Sequence, residues 1–437
     1  MKRGSPASST SAPAARGAAA EPRAAAERWA DQRRLYLDNL KVLLIAAIIA
    51  GHAIAGYSAL ELWAYGDVRE ATLSPVTDAV LTGVFAPFGL FMVPLLFLVA
   101  GLLTPGSLAR KGQRRYVRDR LLRLGLPFAV FTLLIWPAVL YALYRPLGNA
   151  GGSYWAEFVG TTEEGVDTGY LWFVGDLLIF SLGYAGWARV RNRRGAHAAR
   201  DMGAAHHAGS VRQPGLAGHP GTVPTTGAVR QEVTVQQLLL LAGAVTLVTF
   251  LVRLVFPFDS QKYVDLNLFQ WPECLAVFAL GIAASRWDWL TAVPGRLRTQ
   301  CRTVTLVAVG AFGVFVVIGA LLGGLTESTW TGGWHVEALA MAVLESVLSV
   351  CGPVWMLGAA QRHLDRPLRW VGPAVARSAY GAFLLQGLLL LGLAVALRPL
   401  PLPAEGKALV VAVGAVTGSF ALAWLLVSKV RGLARVL

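Results

Sequence analysis

Charged residues are scarce in this sequence. Only 15% of its 437 residues are Asp, Glu, Lys or Arg, whereas a soluble domain carries about a quarter. Cysteine is rare as well. Cys274, Cys301 and Cys351 lie far apart without Cys-x-x-Cys spacing, so we expect neither a disulfide framework nor a metal site. The apolar residues make up 55% of the chain. Together these proportions exclude an ordinary soluble domain.

Long apolar runs separate the few clusters of charge, and each has about the 20 residues that a helix needs to cross a bilayer. The sequence therefore predicts an all-α, polytopic integral membrane protein with about ten transmembrane helices. We predict them near residues 36–57, 77–103, 124–144, 169–188, 235–256, 268–285, 303–323, 338–360, 375–397 and 407–427.

The net charge of +14 has a topological explanation. If the N-terminus is cytoplasmic, alternate loops collect most of the Arg and Lys, including a basic loop from Arg110 to Arg123. This is the positive-inside bias, and with an even helix number it puts both termini in the cytoplasm. The bilayer, and not a nucleic acid, is then the partner of the basic residues. A composition rich in Ala, Arg, Gly and Val is typical of a GC-rich bacterial genome, so we expect a bacterial cytoplasmic membrane.

Two segments lack apolar periodicity. Residues 1–34 predict a disordered cytoplasmic tail, and residues 35–437 form the transmembrane domain. A flexible cytoplasmic loop at about 190–233 interrupts that domain. The loop contains four histidines, but their spacing does not suit an ordered metal site.

The first helix carries the polar residues that suggest chemistry. Asp38, Lys41 and His52 share one stripe at helical spacing, with Lys41 and His52 about 16 Å apart along the axis. Polar groups within an apolar helix are functional candidates, and an imidazole can accept a proton from a hydroxyl near neutral pH. Two simpler interpretations remain open: a structural histidine, and an Asp38–Lys41 ion pair at the membrane surface.

The segment LDNLK at 37–41, followed after ten residues by His52, resembles the signature of acyltransferase family 3. Four later segments resemble further motifs of that family, in the same order. They are PLLFLVAG at 94–101, RLLRLGLP at 120–127, LWF at 171–173 and SAY at 378–380. The resemblance covers most of residues 35–437.

This resemblance implies a membrane-embedded O-acyltransferase that moves an acyl group, acetyl by default, from cytoplasmic acyl-CoA to a hydroxyl of a glycan or related acceptor. It implies that His52 is the general base, with Asp38 also catalytic. Lys41, Arg120 and Arg123 are the expected ligands of the acyl-CoA phosphates, since cations match phosphate oxygens.

The sequence departs from the family pattern at three positions. Lys41 stands where the family usually has arginine, so the charge remains but the bidentate fork is lost. Ala100 replaces a serine, which removes a hydroxyl. Gln386 stands where many members have a histidine. These changes bear on donor affinity and substrate class.

Asp176, Glu345 and His335 are candidate substrate-binding residues, since each puts an ionisable group in or beside an apolar helix. Ion pairing for structure is the alternative for Asp176 and Glu345, and an interfacial aromatic belt is the alternative around His335. Arg253 is interpreted as an interfacial anchor.

Two other functions fit the topology. One is a transporter or flippase for a lipid-linked or amphiphilic substrate, and the other is a non-catalytic scaffold. The polar stripe of the first helix and the basic turn at 120–127 favour the enzyme, and no internal repeat supports a transporter built from inverted halves. The sequence makes no prediction of the oligomeric state.

Overall fold

The computed structural model describes residues 35–59, 69–144, 167–209, 233–258, 266–322 and 327–430. Ten long helices account for most of them. In chain order they are α1 (Leu35–Tyr57), α2 (Pro75–Lys111), α3 (Gln113–Leu143), α4 (Trp172–Gly209), α5 (Val235–Arg253), α6 (Trp271–Ala284), α7 (Gly295–Leu322), α8 (Val336–His363), α9 (Pro373–Leu397) and α10 (Ala404–Lys429).

Each of these ten helices is long and apolar enough to cross a membrane, α6 together with the 3-10 turns that extend it to Leu268–Trp287. The described ranges contain no β-strand. Large apolar side chains face outward on the peripheral helices, including Leu240, Val307 and Leu321, which are 67–80% exposed. Outward apolar surface on this scale suits lipid and not water. The prediction of an all-α membrane protein with about ten transmembrane helices is confirmed.

Two predicted loops are shorter than expected. The basic stretch from Arg110 to Arg123 belongs to helices α2 and α3, which are separated only by Gly112 at a φ of 72°. The predicted loop at about 190–233 begins as a continuation of α4 as far as Gly209, because its first part is rich in Ala and Arg, which favour helix. The rest of that loop and the predicted tail at 1–34 lie outside the described residues.

Helix α3 is irregular around Pro127. It widens into π-helical turns at Leu121–Gly125 and Phe131–Ile135. Pro127 has no N–H to donate to the carbonyl of Arg123 four residues earlier. The hydroxyl of Tyr380, from α9, donates to that carbonyl at 2.8 Å. Two motifs far apart in sequence are therefore joined, and α3 is tied to α9 beside Arg123.

Helices α2 and α6 approach each other through glycine. A β-carbon at Gly101 would overlap the carbonyl oxygen of Phe278, and one at Gly281 would overlap that of Leu98. Small residues allow such close approach between membrane helices. The glycine that ends the PLLFLVAG motif therefore has a packing role.

Helix α1 packs against α2, α8, α9 and α10. Its Tyr57 end is covered by the segment that follows it, where the Leu73 N–H donates to the Tyr57 carbonyl at 2.9 Å. Glu70 in the same segment pairs with Lys407 of α10, whose side chain is only 3% exposed. These contacts fix the C-terminal end of α1, and with it the depth of His52.

Candidate functional site

Lys41 and Asp38 lie together near the N-terminal end of α1. The Lys41 ammonium is 3.5 Å from an Asp38 carboxylate oxygen, and the two side chains are 43% and 24% exposed. Fourteen residues of helix, about 21 Å, separate Asp38 from His52. The structure thus joins Asp38 to Lys41 and keeps it away from His52. The ion pair considered in the sequence analysis is present.

Lys41 lines a cleft of about 550 Å³ together with Arg123 of α3 and Arg377 of α9. Ser378 and Ser428 also line the cleft, and their hydroxyls donate to the carbonyls of Ala374 and Leu425 on their own helices. Three cations around one cleft suit an anion with several phosphate oxygens. Two of the three predicted donor-binding cations, Lys41 and Arg123, therefore meet in one place.

His52 lies deeper in the bundle. Its Nδ1 is 3.0 Å from the Oε1 atom of Gln386, in α9. Its ring is also near Tyr170, with ring centroids 6.4 Å apart, and the Tyr170 hydroxyl donates to the Leu384 carbonyl at 2.6 Å. Gln386 is completely buried, whereas His52 is partly exposed. One ring nitrogen of His52 is therefore fixed by a neighbouring helix.

Helices α1 and α9 connect the cleft to His52. Lys41 and Arg377 line the cleft, and His52 and Gln386 are in contact further along the same two helices. The helices therefore run parallel, with polar residues at two matching depths. The separations are eleven residues along α1 and nine along α9, which correspond to roughly 16 Å and 13 Å.

The first four helices match a known family. Residues 34–203 match a family profile described as an acyltransferase domain. Over these residues the match confirms the resemblance to acyltransferase family 3, while the resemblance of the SAY segment at 378–380 stays a prediction. It includes Lys41, His52 and the basic turn at 120–127. No curated protein and no solved structure matches the chain. The matched residues make up less than half of the chain, whose described residues contain ten helices of membrane-spanning character.

Arg120 has a different neighbour from Arg123. Its guanidinium carbon is 5.1 Å from the centre of the Tyr116 ring, one helical turn earlier. Tyr116 is buried, so this contact holds the Arg120 side chain against α3. Arg120 is not among the residues that line the cleft, and its predicted contact with donor phosphates stays a prediction.

The three candidate substrate-binding residues occupy separate surroundings. Asp176 is completely buried in α4 and accepts a hydrogen bond from the Trp271 indole at 3.0 Å. Glu345 is buried in α8 and pairs with Arg253. His335 is exposed at the start of α8, next to Trp334, which is 80% exposed. The structure therefore does not bring these three residues together into a single substrate-binding site.

Arg253 does not lie where the sequence predicts it. It is not an interfacial anchor, because its side chain is 1% exposed and pairs with Glu345 at 2.5 Å. Glu273 of α6 is buried close to both groups and accepts a hydrogen bond from Thr249 at 2.8 Å. The cluster ties α5, α6 and α8 together, so its evident role is structural.

Sequence reasoning missed Arg377. The SAY motif at 378–380 was noted, but the cation directly before it was not. A signal was present, since Arg377 falls in the first turns of a predicted helix whose first residues face the basic side of the membrane. Its convergence with Lys41 depends on the packing of α9 against α1, which no local pattern reveals.

Proposed function

We propose that the protein is a membrane acyltransferase that moves an acyl group, acetyl in the simplest case, from cytoplasmic acyl-CoA to a hydroxyl of a glycan or related acceptor, with His52 as general base. One observation carries the proposal. The cleft that gathers Lys41, Arg123 and Arg377 lies at one end of α1 and α9, and the His52–Gln386 contact lies further along the same two helices.

The cleft fits the phosphates of a coenzyme A thioester. Lys41 is a compact cation, while Arg123 and Arg377 each offer a planar fork of donors for phosphate oxygens. The roughly 16 Å from Lys41 to His52 leaves room for a narrow pantetheine arm to run beside α1, so that the thioester meets His52.

The reaction needs one proton carrier. His52 takes the proton of the acceptor hydroxyl while the hydroxyl oxygen attacks the thioester carbonyl and a C–O bond forms. The tetrahedral intermediate then collapses, the C–S bond breaks, and the imidazolium returns the proton to the departing thiolate. No net proton is consumed, and an imidazole can act as the base in the first step and as the acid in the second.

Basic residues on the Lys41 side of the bundle support a cytoplasmic donor. Acyl-CoA is a cytoplasmic metabolite, and cations at this face are the ones it would meet first. The acceptor then approaches His52 from within the membrane or from the opposite side.

Transfer of labelled acetyl-CoA tests the proposal. Membranes that contain the protein together with their own glycans are incubated with radiolabelled acetyl-CoA, and label in the glycan fraction is counted. Protein-dependent labelling with release of free coenzyme A supports the enzyme. Mass spectrometry of surface glycans from a deletion strain identifies the acceptor. If glycans are unchanged and no acetyl-CoA is consumed, the transporter or flippase becomes the better explanation.

A further inference from the structure

The Oε1 atom of Gln386 is 3.0 Å from Nδ1 of His52. An amide oxygen only accepts hydrogen bonds, so this contact determines where the imidazole carries its proton. In this arrangement Nδ1 carries a proton, and the lone pair of the neutral ring belongs to Nε2. The partner of one ring nitrogen therefore decides which nitrogen can act as a base.

The burial of Gln386 indicates that its side chain does more than fill space. Its side chain is 0% exposed, and its Nε2 atom has no hydrogen-bond partner among the residues that the structure describes. A buried N–H without an acceptor lowers stability. An apolar side chain of similar size would fill the same space without that loss. Packing alone therefore does not explain a glutamine here.

The backbone around Gln386 is tightly placed. At the next residue, Gly387, a β-carbon would overlap the Tyr170 ring. The Tyr170 hydroxyl donates to the Leu384 carbonyl, two residues before Gln386. This packing fixes the turn of α9 that presents the Gln386 side chain to α1.

We propose that Gln386 is a positioning residue that holds His52 in the tautomer protonated at Nδ1, which makes Nε2 the atom that accepts the proton of the acceptor hydroxyl. The proposal rests on the role of His52 in the proposed function and adds the residue that orients it. In nucleophile–base pairs of enzymes the base is likewise oriented by a third group, and here Gln386 would orient His52 through Nδ1.

A neutral amide suits this role better than a carboxylate would. The imidazolium that forms after proton transfer keeps donating from Nδ1 to the same oxygen, so the contact persists through the reaction. A carboxylate would stabilise the charged ring more strongly and would retain the proton that must return to the thiolate. Glutamine therefore orients the ring without trapping its charged form.

The tautomer is read directly by solid-state NMR. The full chain, labelled with ¹³C and ¹⁵N in its seven histidines, is placed in liposomes at about pH 8.5, well above the ordinary histidine pKa of about 6.5. The His52 signals are assigned by their loss in His52→Asn. We expect protonated Nδ1 in the wild type and in Gln386→Glu, which keeps an acceptor oxygen, and a shift toward protonated Nε2 in Gln386→Met. A wild-type ring protonated at Nε2 overturns the proposal without reference to any variant.

Kinetics supply the second readout. Gln386→Met is expected to lower kcat about tenfold or more while KM for acetyl-CoA stays within about twofold, since orientation of a general base acts on the chemical step. Gln386→Glu is expected to keep part of the lost rate. A shifted tautomer with an unchanged kcat would overturn the positioning role.

Gln361→Met is the matched control. Gln361 donates to the Trp289 carbonyl at 2.6 Å and accepts from the Val293 N–H at 2.8 Å, so its role is structural. Its loss should lower thermal stability and leave the His52 tautomer unchanged. If His52→Asn itself retains full transfer, the proposed function fails, while the wild-type spectrum still decides the tautomer.

Discussion

Replacement of Arg377 by glutamine tests the cleft as the donor site. The substitution removes one of its three cations and keeps a polar side chain of similar length. Hydrogen bonds to charged groups contribute about 1.5–3 kcal/mol, and Arg377 is exposed, so solvent screening favours a value near or below the low end. A loss of about 1.4 kcal/mol corresponds to a tenfold weaker interaction.

The expected result is a KM for acetyl-CoA about tenfold higher with kcat changed less than about twofold, because the lost contact acts on binding and not on the reacting atoms. Initial rates of acetyl-CoA consumption at several salt concentrations give both constants. Salt screens exposed charges, so KM of the wild type should rise with salt, and it should rise less steeply in Arg377→Gln.

Arg369→Gln is the control for this experiment. Arg369 is also exposed and precedes α9 by a few residues, but it is not among the residues that line the cleft. Its replacement should leave KM unchanged. Equal KM values for wild type and Arg377→Gln, or the same rise in both variants, would refute the assignment of the donor phosphates to this cleft.

Three further substitutions probe the scaffold. Arg253→Met leaves buried carboxylates without their cation and should destabilise the fold by about 3–5 kcal/mol, seen as a lower midpoint of thermal unfolding in detergent; an unchanged midpoint would contradict the structural role of the cluster. Gly101→Leu should sharply reduce folded protein in size-exclusion chromatography, because even a β-carbon overlaps the facing helix; normal yield would show that α2 and α6 are further apart. Tyr380→Phe removes the donor to the Arg123 carbonyl and should lower stability by about 1 kcal/mol. KM for acetyl-CoA should also rise severalfold, and a wild-type KM would contradict the reasoning.

The number of helices and their positions along the chain were largely predictable from the sequence, because membrane helices are specified by length and hydropathy in each segment separately. All ten predicted apolar runs correspond to long helices. Helix ends were less predictable. Gly112 permits a break of a single residue between α2 and α3, and α4 continues to Gly209 although the sequence becomes polar near residue 190.

The candidate site was predictable only where it lies on one helix. Lys41 and His52 share α1, so their spacing alone gives their separation. Arg377 and Gln386 reach them from α9, more than 300 residues later in the chain, and their contacts depend on how the helices pack. Arg253 was misinterpreted for the same reason, since a cation at a helix end resembles an anchor until its partner on α8 is known.

The central claim is that the imidazole of His52 performs the proton transfer. The most direct test compares His52→Ala with His363→Ala, which changes an exposed histidine at the end of α8 that does not line the cleft, in the transfer of radiolabel from acetyl-CoA to endogenous glycan at equal amounts of folded protein. The account predicts that His52→Ala loses about a hundredfold or more of the transfer rate while acetyl-CoA binding persists, and that His363→Ala retains the wild-type transfer rate. Full transfer by His52→Ala would contradict it.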